Sequence, residues 1–468
     1  MQVATRQMKQ IQFKTDLELH ICKEKTLSLL SMCVNVKLRN ANFCSFSLSL
    51  LSSVITFSEC YEPDVKANIY ARVLEKIFDE LSYFKNECVT DLQRGNGTTN
   101  GNLKFKFNVR RQLAAITLTL CRNYATHFKS IFESVLNRVF EIISCTYSSQ
   151  MEKVILTQAI ILSSMQIHST EMQTRLVTQL MQPIYEFFAS NDFRLSITSS
   201  EHFITFVGLN EPSTLGDHNA EAAVANRKKI FYFTNLYYGI LKSIPNTPNT
   251  NNAIGFNLQS FEALIVLLKF FNLVHSNELR MSVNQSILSM TDSAKATTLG
   301  KEGNVAANNG IANLQSQQQN DFNEPDKANM FFFNTYDTLA QLLGLFMSKY
   351  KHELLLSPWS QTAFEVFSRL GEAMFTCFEQ LPNFRVRSIV RYILKSCLIS
   401  STATSRVVEN NFCVVKVNEM FLEYFLPSIF SRISQANRIL AESPANNNNE
   451  NGVDGKKLSF FKSYYKVN

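Results

Sequence analysis

Apolar residues recur along this chain at the spacing of helix faces, most clearly between residues 109 and 190. Steps of three and four residues bring side chains onto one face of a helix with 3.6 residues per turn. The four apolar stripes in this region are Val109, Leu113, Ile116, Leu120 and Tyr124; Phe128, Phe132, Val135, Val139 and Ile142; Met151, Ile155, Ala159 and Leu162; and Leu176, Leu180, Ile184 and Phe187. The pattern predicts four consecutive amphipathic helices, at 109–126, 128–147, 150–167 and 170–190.

These helices form two similar pairs that begin about forty residues apart. A single helix cannot bury its apolar stripe, but antiparallel pairs that stack on the next pair can. A period near forty residues is typical of HEAT or armadillo repeats, whereas tetratricopeptide and ankyrin units are shorter. The alternative is an irregular helical domain without a true repeat. The same spacing predicts further helices, which bring the total to about seven pairs, at 23–36, 43–57, 66–86, 225–243, 257–275, 277–291, 327–350, 357–380, 384–399 and 411–437.

Polar segments without apolar periodicity separate these helices and are rich in Asn, Gly, Gln or Ser, as solvated loops are. The longest, 294–326, contains the run Gln-Ser-Gln-Gln-Gln and is predicted to be a disordered insertion. The other segments are 94–102, 210–219, 246–252 and 443–457. We therefore expect a solenoid over residues 1–437, followed by a low-complexity polar tail at 438–468.

The composition supports an all-α architecture. Only 14 glycines and 10 prolines occur in 468 residues, which disfavours turn-rich β folds and the glycine loops of nucleotide-binding folds. The predicted fold is an all-α HEAT-repeat superhelical solenoid, that is, an α-α superhelix.

Charge and cysteine usage restrict the environment and the partners. The net charge of +7 permits an anionic partner without requiring one. The ten cysteines include no C-x-x-C pair and are expected to be reduced and buried in a nuclear or cytosolic protein. The start of the chain has no signal-peptide pattern. The longest apolar run, 264–274, is interrupted by Lys269 and is too short to span a bilayer, so no membrane role is predicted.

Signatures of catalysis are missing from the sequence. The seven histidines are scattered without metal-ligand spacing, and there is no phosphate-binding lysine loop, nucleophile elbow or dinucleotide fingerprint. The sequence therefore predicts a binding protein that is not an enzyme and needs no cofactor.

Several short motifs resemble, in order and spacing, motifs of the exportin-5 family in the importin-β, or karyopherin, superfamily. The likeness extends from about residue 25 to 437 and is strongest over 108–243. The motifs are Asn108-Val109-Arg110-Arg111, Leu120-Cys121-Arg122-Asn123-Tyr124, Gln150-Met151-Glu152-Lys153, Leu180-Met181-Gln182-Pro183, Phe203-Ile204-Thr205-Phe206-Val207-Gly208, Asn226-Arg227 and Leu381-Pro382-Asn383-Phe384-Arg385-Val386-Arg387.

The resemblance implies a function. Members of this family are nuclear export receptors that shuttle through nuclear pores. They carry structured double-stranded RNA, chiefly hairpin precursors of microRNA, from nucleus to cytoplasm with RanGTP, and tRNA or protein cargo is also possible. The chain is similar to the middle of such a receptor, and the repeats that grip Ran lie upstream of the matched region. RanGTP is therefore expected as a partner of the full-length family member.

The resemblance also implies RNA-binding residues. By position, Arg111, Gln150 and Arg227 match the inner wall that receives the 3′ overhang of the hairpin, with Arg110 beside them. A guanidinium forks onto phosphate oxygens, and an amide satisfies a sugar hydroxyl and a phosphate oxygen. Further attraction is expected from Arg122, Lys104 and Lys106. Two alternatives stay open at this point: these charges are solvated repeat edges, or the chain is a HEAT-repeat scaffold that binds protein cargo on its concave face.

Overall fold

Helices make up the fold of this chain in a computed structural model. The structure describes residues 16–36, 44, 47, 51, 55, 61–93, 100–145, 148–209, 218–245, 255–276, 279, 324–350, 360–398, 419 and 421–442. Within these ranges the regular elements are helical and none is a strand.

The α-helices vary from 6 to 31 residues in length. They are α1 (Asp16–Asn35), α2 (Pro63–Gln93), α3 (Asn100–Tyr124), α4 (Phe132–Ser144), α5 (Gln150–Ile167), α6 (Thr170–Ala189), α7 (Asn191–Ser196), α8 (Ser200–Val207), α9 (His218–Ser243), α10 (Leu258–Leu273), α11 (Glu324–Lys349), α12 (Ser360–Phe375), α13 (Asn383–Ser388) and α14 (Leu426–Glu442). Short 3₁₀-helices occur at Ala125–Ile131 and Phe378–Gln380, and π-helical turns at Ile389–Leu394 and Phe421–Phe425.

The helices pack in two layers of stacked pairs. In the first layer α3 lies against α5, α5 against α9, α9 against α11, and α11 against α13 and the π-turn that follows it. The second members of the pairs, α4, α6, α10 and α12, pack beneath, with α6 contacting α10 and α10 contacting α12. Each helix therefore buries its apolar stripe against its neighbours in the stack. The predicted all-α HEAT-repeat solenoid is confirmed.

The predicted apolar stripes form the core. Val109, Leu113 and Leu120 of α3 are buried, and so are Val135, Val139 and Ile142 of α4. The remaining stripe residues whose side chains are described are buried or pack against the core. Burial of a side chain of this size contributes about 1.5–3 kcal/mol relative to leaving it exposed, so the seams between helices hold the solenoid together.

The helix boundaries agree best with the sequence pattern where a capping residue marks the start of a helix. The Oγ of Ser149 accepts from the amide of Glu152, and α5 spans the predicted 150–167. Helix α3 begins at Asn100, inside a segment predicted to be a loop. The predicted helix 128–147 has 3₁₀ geometry up to Ile131 and is α-helical from Phe132.

Two short helices, α7 and α8, were not predicted as such because neither is long enough to show a period. The last helix continues to Glu442, past the predicted end of the solenoid at 437. The predicted helices 43–57 and 277–291 lie almost wholly outside the described residues, as do the Gln-rich insertion and the polar tail.

Eight cysteines lie in described positions, and none of these eight forms a disulfide. Five of them, Cys33, Cys44, Cys88, Cys121 and Cys397, are buried. Burial raises the pKa of the Cys121 thiol to about 12, so this side chain behaves as a small apolar residue. Cys60 and Cys413 lie outside the described residues. As for membranes, no described helix combines the length and the apolarity needed to cross one.

Candidate nucleic-acid interface

Helix α5 lies between α3 and α9 and is buried over most of its circumference. Its amino-terminal end remains partly accessible at Gln150 and Lys153. The sequence-predicted site residues lie around this end: Arg110 and Arg111 on α3, Gln150 on α5, and Arg227 on α9. The first and last of these residues are more than one hundred positions apart in the chain, and the fold places them on helices that both contact α5.

Arg110 is buried, which differs from the exposed position expected for a direct RNA contact. Its side chain is 1% exposed and pairs with the carboxylate of Glu152 at 2.8 Å, and that carboxylate is equally buried. Arg110 also donates to the Oγ of Ser148 at 3.2 Å, and Ser148 in turn donates to the carbonyl of Ile142. Since a phosphate cannot reach a guanidinium enclosed in this way, Arg110 fixes α3 against the start of α5.

A sequence signal for this burial exists. Arg110 starts a second row on α3, continued by Ala114, Thr117 and Cys121 at helical spacing, and all four side chains are buried. Such small side chains beside the main apolar stripe are typical of a helix face in close contact with a neighbour. The row therefore indicates that α3 buries two adjacent faces, and that Arg110 belongs to the inner one.

Arg227 is also a structural residue. Its Nη1 donates to the carbonyl of Val207 at 2.7 Å, and the amide of Asn226 donates to the carbonyl of Phe206 at 3.1 Å. Helix α8 ends at Val207, and Gly208 follows with φ +66, the left-handed conformation that favours glycine. The Asn226-Arg227 pair thus caps α8, where a cation also offsets the negative end of the helix dipole. The exposed fraction of Arg227 is 8%.

Gln150 and Arg111 occupy more accessible positions. The Nε2 of Gln150 donates to the carbonyl of Lys228 at 3.2 Å, which ties the start of α5 to α9. Arg111 is half-buried on α3, and this burial lowers the pKa of its guanidinium from the ordinary value. An arginine still stays charged throughout the physiological range. Both side chains therefore have partly accessible polar groups beside the start of α5.

Three lysines not identified from the sequence lie on the same helices, α5 and α9. Lys228 and Lys229 are exposed on α9, directly after the capping residue Arg227. Lys153 is half-buried on α5, where burial lowers the pKa of its amine. A bound anion offsets the cost of burying such a cation. We name the group Arg111, Gln150, Lys153 and Lys228 the overhang cluster, after the RNA overhang that the family resemblance leads us to expect at Arg111 and Gln150.

The other expected basic residues differ in their roles. Lys106 is buried and pairs with Glu87 of α2 at 3.0 Å. Arg122 is exposed near the end of α3. The side chain of Lys104 lies outside the part of the chain that the structure describes. Among the described residues no group of His, Cys, Asp and Glu has the arrangement of a metal site.

Charge is distributed unequally between the three helices around α5 and the helices beneath them. Helices α3, α5 and α9 carry ten lysines and arginines (five, one and four, respectively) but only the acidic residues Glu152 and Glu221. Three of the ten are buried, whereas six are accessible, namely Arg111, Arg122, Lys153, Lys228, Lys229 and Lys242. Helices α4, α6, α10 and α12 of the second layer carry four basic and seven acidic residues. We name the accessible side of α3, α5 and α9 the basic face. Its composition suits a polyanion, because cations that contact phosphates release condensed counterions.

Stacked helix pairs with a basic face in one layer define a HEAT-repeat solenoid suited to an anionic partner. The chain belongs to the Exportin-5 family, whose model matches residues 1–457, and the resemblance seen in the short motifs is thereby confirmed. It is similar to Exportin-5 of Homo sapiens, 20% identical over 399 residues, and to Exportin-5 of Mus musculus, 20% identical over 407 residues. Each match covers 80% of this chain and 31% of the relative. The chain thus spans about a third of the length of these relatives.

Proposed function

We propose that this chain is part of a nuclear export receptor that binds structured double-stranded RNA, such as hairpin precursors of microRNA, on its basic face. In this proposal the receptor carries the RNA from nucleus to cytoplasm with RanGTP and shuttles through nuclear pores. Family membership supports the transport role. The observation that carries the RNA assignment is the excess of accessible cations over acidic residues on α3, α5 and α9.

Within this face, Arg111 and Gln150 are the proposed direct contacts to the 3′ overhang of the hairpin, assisted by Lys153 and Lys228. Arg111 offers a planar fork for phosphate oxygens, and Gln150 offers amide donors and an acceptor for phosphate and 2′-hydroxyl groups. The guanidinium groups of Arg110 and Arg227 hold α5 and α8 in place. In this proposal these two residues therefore support the contact residues and do not bind the RNA themselves.

Double-stranded RNA is recognised through shape, phosphates and 2′-hydroxyls, whereas its base sequence is largely unread. Binding should therefore be indifferent to the sequence of the stem and should weaken steeply with salt. The test is a gel-shift titration of the chain with an RNA hairpin that bears a short 3′ overhang and with its blunt twin, at two salt concentrations.

We expect tighter binding of the overhang-bearing hairpin and a steep salt dependence for both RNAs. Failure of both hairpins to bind at low salt would refute the RNA assignment.

A scaffold for protein cargo is the second candidate. It is favoured by exposed apolar side chains on the last helix and the turn before it, among them Leu422, Phe430 and Ile433, since such patches mark protein contacts. A scaffold predicts no preference for the overhang and a weak salt dependence, so the same titration separates the two candidates.

A further inference from the structure

Exposed apolar side chains are concentrated at the two ends of the stack. Among the described residues, twelve large apolar side chains are exposed, and ten of them lie on the first or the last elements of the fold. Those at the first end are Ile21, Leu27, Leu29, Met32, Val36 and Val65, and those at the last end are Leu422, Tyr424, Phe430 and Ile433. Scattered exposed residues are normal, but clusters mark contact sites. Each end is therefore a candidate interaction surface.

Helix α1, at the first end, carries apolar residues on more than one side. Leu30 and Cys33 are buried in the core, whereas Met32 is 62% exposed. Ile21, Leu29 and Met32 follow one another at steps of eight and three residues, so they share one outer stripe of the helix. A helix that is apolar on several sides is typical of a protein interior. The outer stripe of α1 therefore has the character of a contact surface.

A groove beside this stripe enlarges the first end. It lies between α1 and the start of α2 and has a volume of about 630 Å³. Apolar side chains line much of it, among them Leu27, Val34 and Val65. Such a groove can receive the apolar side chains of another helix.

The last end has the same organisation. Phe425 and Ile429 pack against the core, whereas Leu422, Phe430 and Ile433 are exposed. The exposed residues follow one another at steps of eight and three, which is the spacing of the outer stripe on α1. The π-turn and α14 thus also combine an inner apolar side with an outer one.

A second copy of the chain supplies a surface that suits each end. Repeats of a solenoid contact their neighbours, and a terminal repeat is soluble when its outer face is polar. Here both terminal helices have apolar outer faces instead. Stacking the last end of one copy on the first end of another would continue the helix-on-helix packing of the fold. A cargo protein bound at the last end would leave the apolar surface of the first end unexplained.

The exposed area sets the expected strength of this contact. The ten side chains are between 40% and 65% exposed, and together they present on the order of 1,000 Å² of surface, somewhat less than the roughly 1,200–2,000 Å² buried in stable complexes. The association should therefore be reversible and should depend on the protein concentration.

We infer that the chain self-associates head to tail, with the π-turn and α14 of one copy packed on α1 and its groove in the next copy. The contact is heterologous, so a dimer keeps one uncovered end of each kind. Association is then open-ended unless the rotation between copies closes a ring. The inference involves no residue of α3, α5 or α9 and does not rest on RNA binding.

The test is sedimentation velocity of the chain without RNA over a range of protein concentrations, in which we expect the wild type to form dimers and larger species. Met32→Glu at the first end and Phe430→Glu at the last end each place a charge in the contact. Each variant alone should self-associate at least about tenfold more weakly, because the buried carboxylate has no partner.

A mixture of the two variants distinguishes a head-to-tail contact from other modes. The Met32→Glu chain keeps an intact last end, which fits the intact first end of the Phe430→Glu chain. Their equimolar mixture should therefore form dimers and nothing larger, since both remaining ends are blocked. Self-association of either variant at wild-type strength would overturn the inference, because two ends of the same kind would then be in contact.

Matched controls lie at exposed apolar positions away from both ends. Met172→Glu on α6 and Leu195→Glu on α7 make the same chemical change, and both variants should associate as the wild type does. An equal loss in these controls would overturn the inference, since general apolar attraction would then explain the association. A wild type that stays monomeric at all concentrations would also overturn it.

Folding has its own measurement. The substituted side chains project outward, so circular dichroism should show wild-type helix content in every variant. If either glutamate variant loses helix, Ile21→Gln at the first end and Ile433→Gln at the last end form the milder pair, with the same mixture experiment. Dimers in that mixture support the head-to-tail contact, and their absence refutes it.

Discussion

Arg110 and Glu152 join α3 to α5 through an ion pair of 2.8 Å between two side chains that are each 1% exposed. Removing one partner of such a pair leaves a buried charge without compensation, which costs about 3–5 kcal/mol. We expect Arg110→Met and Glu152→Leu each to lower the free energy of unfolding by about this amount in urea denaturation. The double variant should be less destabilised than either single variant, because it leaves no buried charge.

The exposed pair Arg369 and Glu262, with 3.4 Å between nitrogen and oxygen, provides the control. Arg369→Met should change stability by less than about 1 kcal/mol, as is usual for surface ion pairs. Additive losses in the Arg110 and Glu152 double variant would contradict the assigned role of the buried pair.

Arg111 is the residue whose loss should be specific for the overhang. Arg111→Ala removes a charge-assisted contact, so we expect hairpins with a 3′ overhang to bind more weakly by roughly 1–3 kcal/mol, while blunt hairpins lose much less. Arg111→Lys should restore only part of the affinity, because an ammonium lacks the planar fork. Gln150→Ala should give a smaller loss of the same kind. Filter binding measures all three, and equal losses on both RNAs would reduce Arg111 to general phosphate attraction.

Arg227 should behave differently from Arg111, since it caps α8. Arg227→Met removes a buried, charged hydrogen bond to the carbonyl of Val207, and we expect a loss of roughly 1–3 kcal/mol in stability. Hydrogen exchange should accelerate first in α8, which spans Ser200–Val207. Unchanged exchange in α8, together with a loss of affinity for RNA, would instead make Arg227 a direct contact.

Lys349 should make stability depend on pH. Its ammonium donates to the carbonyl of Ile244, just after α9, and burial lowers its pKa from 10.5 to about 8. Between these values the unfolded chain holds the proton and the folded chain releases it, so this group makes the free energy of unfolding rise with pH. Buried thiols such as Cys121, whose pKa is raised to about 12, act in the opposite direction.

The comparison with Lys349→Met isolates the lysine, because both proteins contain the same thiols. We expect the stability of the wild type relative to this variant to increase between about pH 8 and pH 9.5. Thermal melts at several pH values measure this difference. A constant difference over the whole interval would contradict the lowered pKa.

Two glycines mark close helix contacts of unequal tolerance. A Cβ added at Gly344 of α11 would lie 2.1 Å from the backbone carbonyl oxygen of Tyr392, whereas one at Gly239 would lie 2.4 Å from the side-chain Nε2 of Gln158. A side-chain end can move more easily than backbone. Gly344→Ala should therefore destabilise by about 1–3 kcal/mol and Gly239→Ala by less, as measured by urea denaturation. The reverse order would show that α11 can shift away from the π-turn.

The apolar period determined much of the fold in advance, because stripes such as Val109 to Tyr124 need no more than their neighbours for burial. The apolar period alone could not resolve side-chain direction among the charges of α3, which only the row of small buried residues after Arg110 distinguishes. Arg110 and Arg111 are adjacent and chemically identical, yet one lies between helices and the other at the surface. The contact between Gln150 and Lys228 depends on how α5 stacks on α9, and no local pattern encodes it. The same holds for Arg227, whose partner helix α8 was too short to be recognised.

The unequal distribution of charge between α3, α5 and α9 and the helices beneath them also bears on how fast a partner arrives. A region that is positive on one side and negative on the other has a transverse dipole, which turns the positive side toward an approaching nucleic acid before contact. Electrostatic steering of this kind raises association rates on the order of ten- to a thousandfold and fades as ionic strength rises. The association rate measured in low salt should therefore reveal this asymmetry of charge, independently of the dissociation rate.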